Sequence, residues 1–302
     1  MSREGDLIQM GIIPDLDGSI RINDRIYARN LLTPKGDVYY VDKLVTSSGT
    51  GKSWSRAYKT IAEAITVVNA AIDWSASPWA TGAIILIAPG VYAENLTSLP
   101  YGAIMIGAGH DMRDGQIGTK IKPASGSPVN VGACINTRFI NIGFESADTS
   151  AAFDADILNN CMFQDCYFTG PAETSTMAAC IVTKDAVMNK IITCQFSCAD
   201  KGIDVNYADG GDSFSHNLIK DCVFDQIDTA GIEISTNLVG PSSKVIGCSF
   251  FGGGVTMVDA IKDNVSIIDV AWCAGESTNG FGGSGTTCRS VNASYNNGAL
   301  VT

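Results

Sequence analysis

The chain has 302 residues, is 45% hydrophobic, and carries 20 Lys and Arg against 31 Asp and Glu, a formal net charge of −11. That apolar content can fill one large core, and an acidic balance excludes nucleic-acid binding, which needs a basic face. Membrane insertion is excluded as well, because no apolar run is long enough to span a bilayer.

Residues 1–36 open with Met1 and Ser2 and lead into no signal-peptide apolar core, so Sec export is not expected. The ten Cys are accordingly read as reduced thiols and not as a disulfide framework. Within this arm an apolar stretch from Leu7 to Ile13 precedes a short hairpin around Asp17 and Gly18, with Ile20 and Ile22 alternating after it. Pro34 and Gly36 make a break. So many apolar residues outside the main core need a partner. The arm either folds back on the body or docks onto another subunit or a larger assembly.

From Asp37 the chain changes character. Val38 to Val41 reads as a strand, a Ser/Gly loop follows, and Ile61, Ala64, Ile65, Val68 and Ile72 recur at helical spacing on one face. Two further apolar strands, around Ile84–Ile87 and Ile104–Ile106, come next. This stretch carries a resemblance. The strand ending Tyr40-Val41-Asp42, then Tyr58-Lys59-Thr60-Ile61 with Glu63-Ala64-Ile65, then Ile87-Ala88-Pro89-Gly90-Val91-Tyr92, is similar to the N-terminal cap and first coil of pectin-lyase-like right-handed β-helix proteins. Bacteriophage tailspikes and related β-helical virion proteins are the nearest of these. Ile104 to Gly109 and Thr119-Lys120-Ile121 resemble the next coil, so the resemblance spans residues 37–122.

A five-fold echo follows: Ile142-Gly143-Phe144, Cys166-Tyr167-Phe168, Cys194-Gln195-Phe196, Cys222-Val223-Phe224 and Cys248-Ser249-Phe250, spaced 24, 28, 28 and 26 residues apart. A period in the twenties with one short strand at fixed phase marks a solenoid. A turn former or hydroxyl residue precedes each copy: Asn141, Asp165, Thr193, Asp221 and Gly247. Strands after some copies (Gly202 to Val205, Gly231 to Ile234) and before others (Ile191-Ile192, Leu218-Ile219, Val245-Ile246) complete three short strands per coil. Helical repeats would need runs at 3.6 spacing, and none occurs after residue 75. The expected fold is all-β, a right-handed parallel β-helix with an N-terminal capping helix and an extended arm. Its divisions are 1–36 (anchoring arm), 37–270 (capped β-helix) and 271–302 (a Gly/Ser/Asn-rich segment, either loose or ordered against sister chains).

Chemistry is sparse. Ser48 to Ser53 suggests a phosphate loop, but that motif needs Gly where Thr46 stands. Cys161 with Cys166, and Cys194 with Cys198, overlap zinc-ligand spacings, yet each pair includes a member of the strand column, and neither His110 nor His216 lies in a paired motif. No metal or cofactor is expected. Among outward carboxylates, Asp204 and Glu233 share a phase one coil apart, which places them about 5 Å from each other and makes them the candidate catalytic pair. Asp165 and Asp221 share a turn phase two coils apart. The alternative for all four is solvated surface.

The resemblance implies lyases, hydrolases and inert scaffolds alike. A pectate-type lyase would carry a calcium-binding carboxylate cluster and an Arg base, but Arg138 is the only Arg between Arg113 and Arg289. The leading expectation is a non-enzymatic bacteriophage virion protein: a tailspike-like, fibre or head-decoration subunit, made in the host cytoplasm and carried in the particle. It would be a homotrimer held to a capsid or tail protein through residues 1–36, able to contact host surface polysaccharide. The alternatives are a tailspike depolymerase using Asp204 and Glu233, and a bacterial polysaccharide lyase.

Overall fold

The computed structural model describes residues 12–14, 20–22, 37–71, 82–109, 118–171, 177–206, 213–234, 243–252, 257–263, 268–275, 277–281, 289–291 and 294–295. In the arm, Ile12–Pro14 pairs antiparallel with Ile20–Ile22, the hairpin expected from the alternation there. Ile72, His110 and the rest of the arm lie outside the described residues.

From Val38 onward the strands stack in parallel on three faces. The first face is a ten-stranded sheet running from Val38–Val41 through Arg138–Ile140 and Lys190–Ile192 to Arg289–Val291. The second begins at Gly90–Tyr92 and continues through Gly143–Glu145 and Tyr167–Thr169 to Ser294–Tyr295. The third holds Val129–Ile135, Phe153–Asn159, Ala179–Val187 and Met257–Asp263. This is a parallel β-helix. Two coils depart from three short strands: Gln195–Val205 and Val223–Ile234 each run across the second and third faces, joining them into one sheet. Cys198 and Gln226, both at positive φ, bend these strands without ending them.

The repeated triplets sit where stacking requires. Phe144, Phe168, Phe196, Phe224 and Phe250 are register partners, with successive ring centroids 5.2, 5.1, 4.6 and 4.7 Å apart and planes within 10° of parallel. Every one is fully buried, so each adds apolar burial and an aromatic contact of about 0.5–1.5 kcal/mol. Cys166, Cys194, Cys222 and Cys248 form a buried column beside them. Their thiols point at the carbonyl two residues back, and most also approach a first-face carbonyl of the coil before, as Cys166 does to Phe139 at 3.4 Å. The residue before each copy turns the corner in the left-handed region: Asn141, Asp165, Thr193, Asp221 and Gly247 have φ between 51° and 67°.

The glycines ahead of the third-face segments have a cause in the same stack. A Cβ on Gly202 would lie 2.4 Å from the Phe224 ring, and one on Gly231 would lie 2.3 Å from Phe250. Only glycine lets the backbone approach the rings so closely.

Strand pairing continues past residue 270, the boundary drawn from the sequence. Ile268–Ala271, Ala274–Gly275 and Ser277–Phe281 extend the three faces, and Trp272 (φ 51°) with buried Cys273 repeats the corner and the thiol column once more. Gly275 takes the phenylalanine position, so the ring stack ends at Phe250 while the ladder goes on.

At the other end, Ile61–Ala70 forms helix α1. Thr60 and Glu63 make a reciprocal capping box, and the Glu94 carboxylate accepts from the first two helical amides, Ile61 and Ala62, at 2.9 Å each. Ile61, Ala64, Ile65 and Val68 are buried in the same core as the solenoid interior, next to the first strand.

Candidate functional site

Among the described residues, the third face carries a row of charged groups that the ladder brings into register with the candidate carboxylates. Asn130, Asp154, Val182, Asp204, Glu233 and Lys262 are successive partners, one per coil. In each coil up to Glu233 the residues on either side of that position are apolar or Thr, as in Ile203-Asp204-Val205 and Ile232-Glu233-Ile234; Lys262 is followed by Asp263. The flanks turn into the core and the middle residue turns out.

Asp204 and Glu233 are thus adjacent, as their phase predicts. They are not free. The Lys201 ammonium lies 2.9 Å from Asp204 Oδ2 and 2.9 Å from Glu233 Oε2, and Lys262 Nζ lies 2.6 Å from Glu233 Oε1. Lys201 meets Asp204 three residues along its own strand and Glu233 on the next coil, beside a register slip in which Ala199 faces Ile227 and Lys201 faces Ala230, the extra residue lying in the neighbouring strand. One coil pair away, Lys184 lies 2.8 Å from Asp156, and Asn130 donates to Asp154 at 3.4 Å.

The two carboxylates feel opposite fields. Burial pushes Asp204 above its ordinary range, and Lys201 offsets only part of that. Burial acts on Glu233 too, but hydrogen bonds from Lys262 and Lys201 outweigh it and hold Glu233 below the usual carboxylate range. Lys201 itself is raised: desolvation opposes its charge, and its two carboxylate partners more than restore it. Asp154 is pushed up, first by burial and then by the neighbouring charge of Asp156. Chemically the arrangement is a compact tetrad of alternating sign. The ammonium of Lys201 fills the space between two groups that would otherwise hold an acid and a base.

Sequence reasoning placed Asp204 and Glu233 and missed Lys201, Lys262 and Asp154. Lys262 and Asp154 were legible, because Ile261-Lys262 and Phe153-Asp154-Ala155 repeat the same phase. Lys201 was not, since it lies three residues before Asp204 and off that phase.

The other candidates separate. Asp165 and Asp221 stand at the corner between the first and second faces, where Thr193 donates to Asp165 and Lys220 pairs with Asp221 at 3.3 Å. Cys161 lies at the opposite corner from Cys166, with its thiol 3.4 Å from that of Cys134. Cys198 donates to Gln226 at 2.9 Å. Among the described residues, no group of three or more His, Cys, Asp or Glu is arranged to hold a metal. The 48–53 loop is a closed turn in which Gly49 donates to Ala57 and Gly51 to Arg56, while Lys52 pairs with Asp37 at 2.9 Å.

No family model matches the chain, and no curated protein does. Among solved structures, it is similar to a pectin methylesterase crystallised with a hexasaccharide (13% identity, 87% of this chain and 90% of that one, TM-score 0.48). It is also similar to pectin methylesterase PemA from Erwinia chrysanthemi (12%, 87% and 90%, TM-score 0.47) and to pectate lyase Pel9A (14%, 86% and 80%, TM-score 0.41). Identities this low with TM-scores below 0.5 carry nothing about activity.

Proposed function

We propose that this chain is a non-enzymatic structural subunit of a bacteriophage particle: a β-helical tailspike-like, fibre or head-decoration protein. It would be held through residues 1–36 to a capsid or tail protein, assemble as a homotrimer, and present its faces to host surface glycans. The resemblance of residues 37–122 to virion β-helices motivates the setting. The observation that carries the non-enzymatic part is the pairing of Asp204 and Glu233 through one ammonium, at 2.9 Å to each. A general acid needs a proton to give at the reacting oxygen, and a nucleophile needs a bare carboxylate. Lys201 stands in both places. Electron microscopy of particles carrying a label at Ser2 tests the setting: label at one fixed position on the capsid or tail is expected, and particles without it would overturn the reading.

One observation favours a second reading, the depolymerase. Asp204 and Glu233 are shifted in opposite directions one coil apart, the pattern of an acid and nucleophile in a retaining glycosidase. Incubating purified protein with host capsule or lipopolysaccharide separates the two. The structural reading expects no oligosaccharide release. Release that is lost in Glu233→Gln would establish the depolymerase instead, and calcium-dependent unsaturated products would point to a lyase.

A further inference from the structure

The first face has an outward surface that its own chain covers only in part: Trp54 packs edge-on against Tyr40, and Ile104 and Met162 are buried, while the rest is half-buried or exposed. Along each of its strands the middle residue (Tyr39, Ile85, Met105, Phe139, Phe163, Ile191) enters the core, so the two flanking residues face out. One outward row reads Tyr40, Leu86, Ile106, Ile140, Ile192 and Ile246 in continuous register, interrupted only by Gln164 and Lys220. Each of these six is half-buried, by its ladder neighbours and, at Tyr40, also by the Trp54 ring 4.8 Å away. A solvated sheet face alternates toward polar residues; this one does not. Ten strands at about 4.8 Å spacing make it about 45 Å long, and about 12 Å wide at 3.3 Å per residue. Its projected area of about 540 Å², before corrugation and the bordering corners are added, approaches the ~800 Å² per partner of a standard interface.

Charge placement says what covers it. The other outward row reads Arg138, Met162, Lys190, Leu218 and Lys244, basic in every second coil. The opposite border is the corner column Asn141, Asp165, Thr193, Asp221 and Gly247, acidic in the coils between, with Asp221 sharing its charge with Lys220 of its own coil at 3.3 Å. When two copies meet face to face with parallel axes, the basic border of each lies along the acidic border of the other. At equal height every lysine then falls level with the gap beside an aspartate. Antiparallel axes would instead set lysine against lysine, which is repulsive.

We propose that the first face is a self-association surface, on which copies of this chain pack side by side with parallel solenoid axes, using the Ile-rich row as the dry centre and Lys190 and Lys244 against Asp165 and Asp221 at the rim. A face-to-face contact of this kind is two-fold and closes at two copies, so it is separate from the homotrimer expected above, and it stands or falls independently of whether the chain belongs to a particle. Light-scattering mass of the full chain at micromolar concentration is the test. Twice 31.7 kDa, or a larger even multiple, is expected, and three chains alone would count against this contact. Ile140→Glu with Ile192→Glu should return the mass to one chain while circular dichroism keeps its β signal, because both side chains point away from the core. Lys190→Glu with Lys244→Glu should weaken association roughly tenfold or more, and adding Asp165→Lys with Asp221→Lys should restore it. A wild-type monomer overturns the proposal. So does an assembly indifferent to Ile140→Glu and Ile192→Glu, which would assign the contact to the arm or another face, or a charge reversal without rescue.

Discussion

Glu233 shows how one side chain converts the ladder into a pH response. Its carboxyl is held below the usual range because Lys262 and Lys201 outweigh burial. A depressed acid stabilises the fold above its unfolded-state value, and that stabilisation is lost as pH falls through the lowered folded value. Asp204 works the other way. Burial raises it, so its contribution is full below the ordinary aspartate range and is lost as pH rises through its raised folded value. Replacing Glu233 with Gln leaves Lys201 and Lys262 facing a neutral amide in a pocket where the glutamate side chain is only 15% exposed. The expected cost is about 2 kcal/mol at neutral pH. It should shrink on acidification, because the wild type then loses the same charge. Melting curves from pH 3 to 7 check this: the gap between variant and wild type should narrow toward pH 3, and a gap of constant width would show that the ion pairs are not its source.

At the level of columns and strands, the interior stack is the main source of order. Phe196 has a ring neighbour on either side, at 5.1 and 4.6 Å, and Gly202 and Gly231 show that the backbone is shaped to such rings. Phe196→Ala should therefore cost about 3–5 kcal/mol, read from the denaturant midpoint, whereas a cost below 1 kcal/mol would mean that the coil collapses onto the gap. The stack was legible because identical residues recur at one phase, and the corners before it were legible because Asn, Asp and Gly tolerate positive φ. A second column was equally periodic and went unread. Thr137, Cys161, Asn189 and Asn217 follow the third-face corners at Asn136, Asn160, Met188 and His216, Ser243 bonds into the same column, and all five are buried. Asn189 and Asn217 bond along the axis, Asn189 Nδ2 to Asn217 Oδ1 at 3.0 Å and Asn217 Nδ2 to Ala186 O at 2.8 Å. Four different residue types share that column because it asks only for a small polar group at the corner. A search for repeated letters passes over it. The merged strands and the bulge between Ile227 and Ala230, opposite Lys201, were unreadable for another reason: they arise from how two coils fit, not from either coil alone.

For the whole molecule, the coil is the unit of folding, since each coil bonds only to those above and below. The spacing of the echo then predicts which deletions the fold can absorb. Removing residues 194–221 takes out one complete coil between two left-handed corners, joining Thr193 to Cys222. Every column closes: Phe168 would meet Phe224, Ile181 would meet Ile232, Asn189 would meet Ser243 and Ile191 would meet Val245, all residues now one coil further apart. Lys201 and Asp204 leave together, and Glu233 keeps Lys262. The shortened chain should fold, show the same β circular dichroism and melt cooperatively, somewhat below the full chain because one coil–coil contact is lost. Removing only 194–207 cuts the coil between faces and throws all later strands onto the wrong side, so that chain should be insoluble or unfolded. Equal tolerance of the two deletions would mean that the columns, and with them the periodic reading of the sequence, do not hold this molecule together.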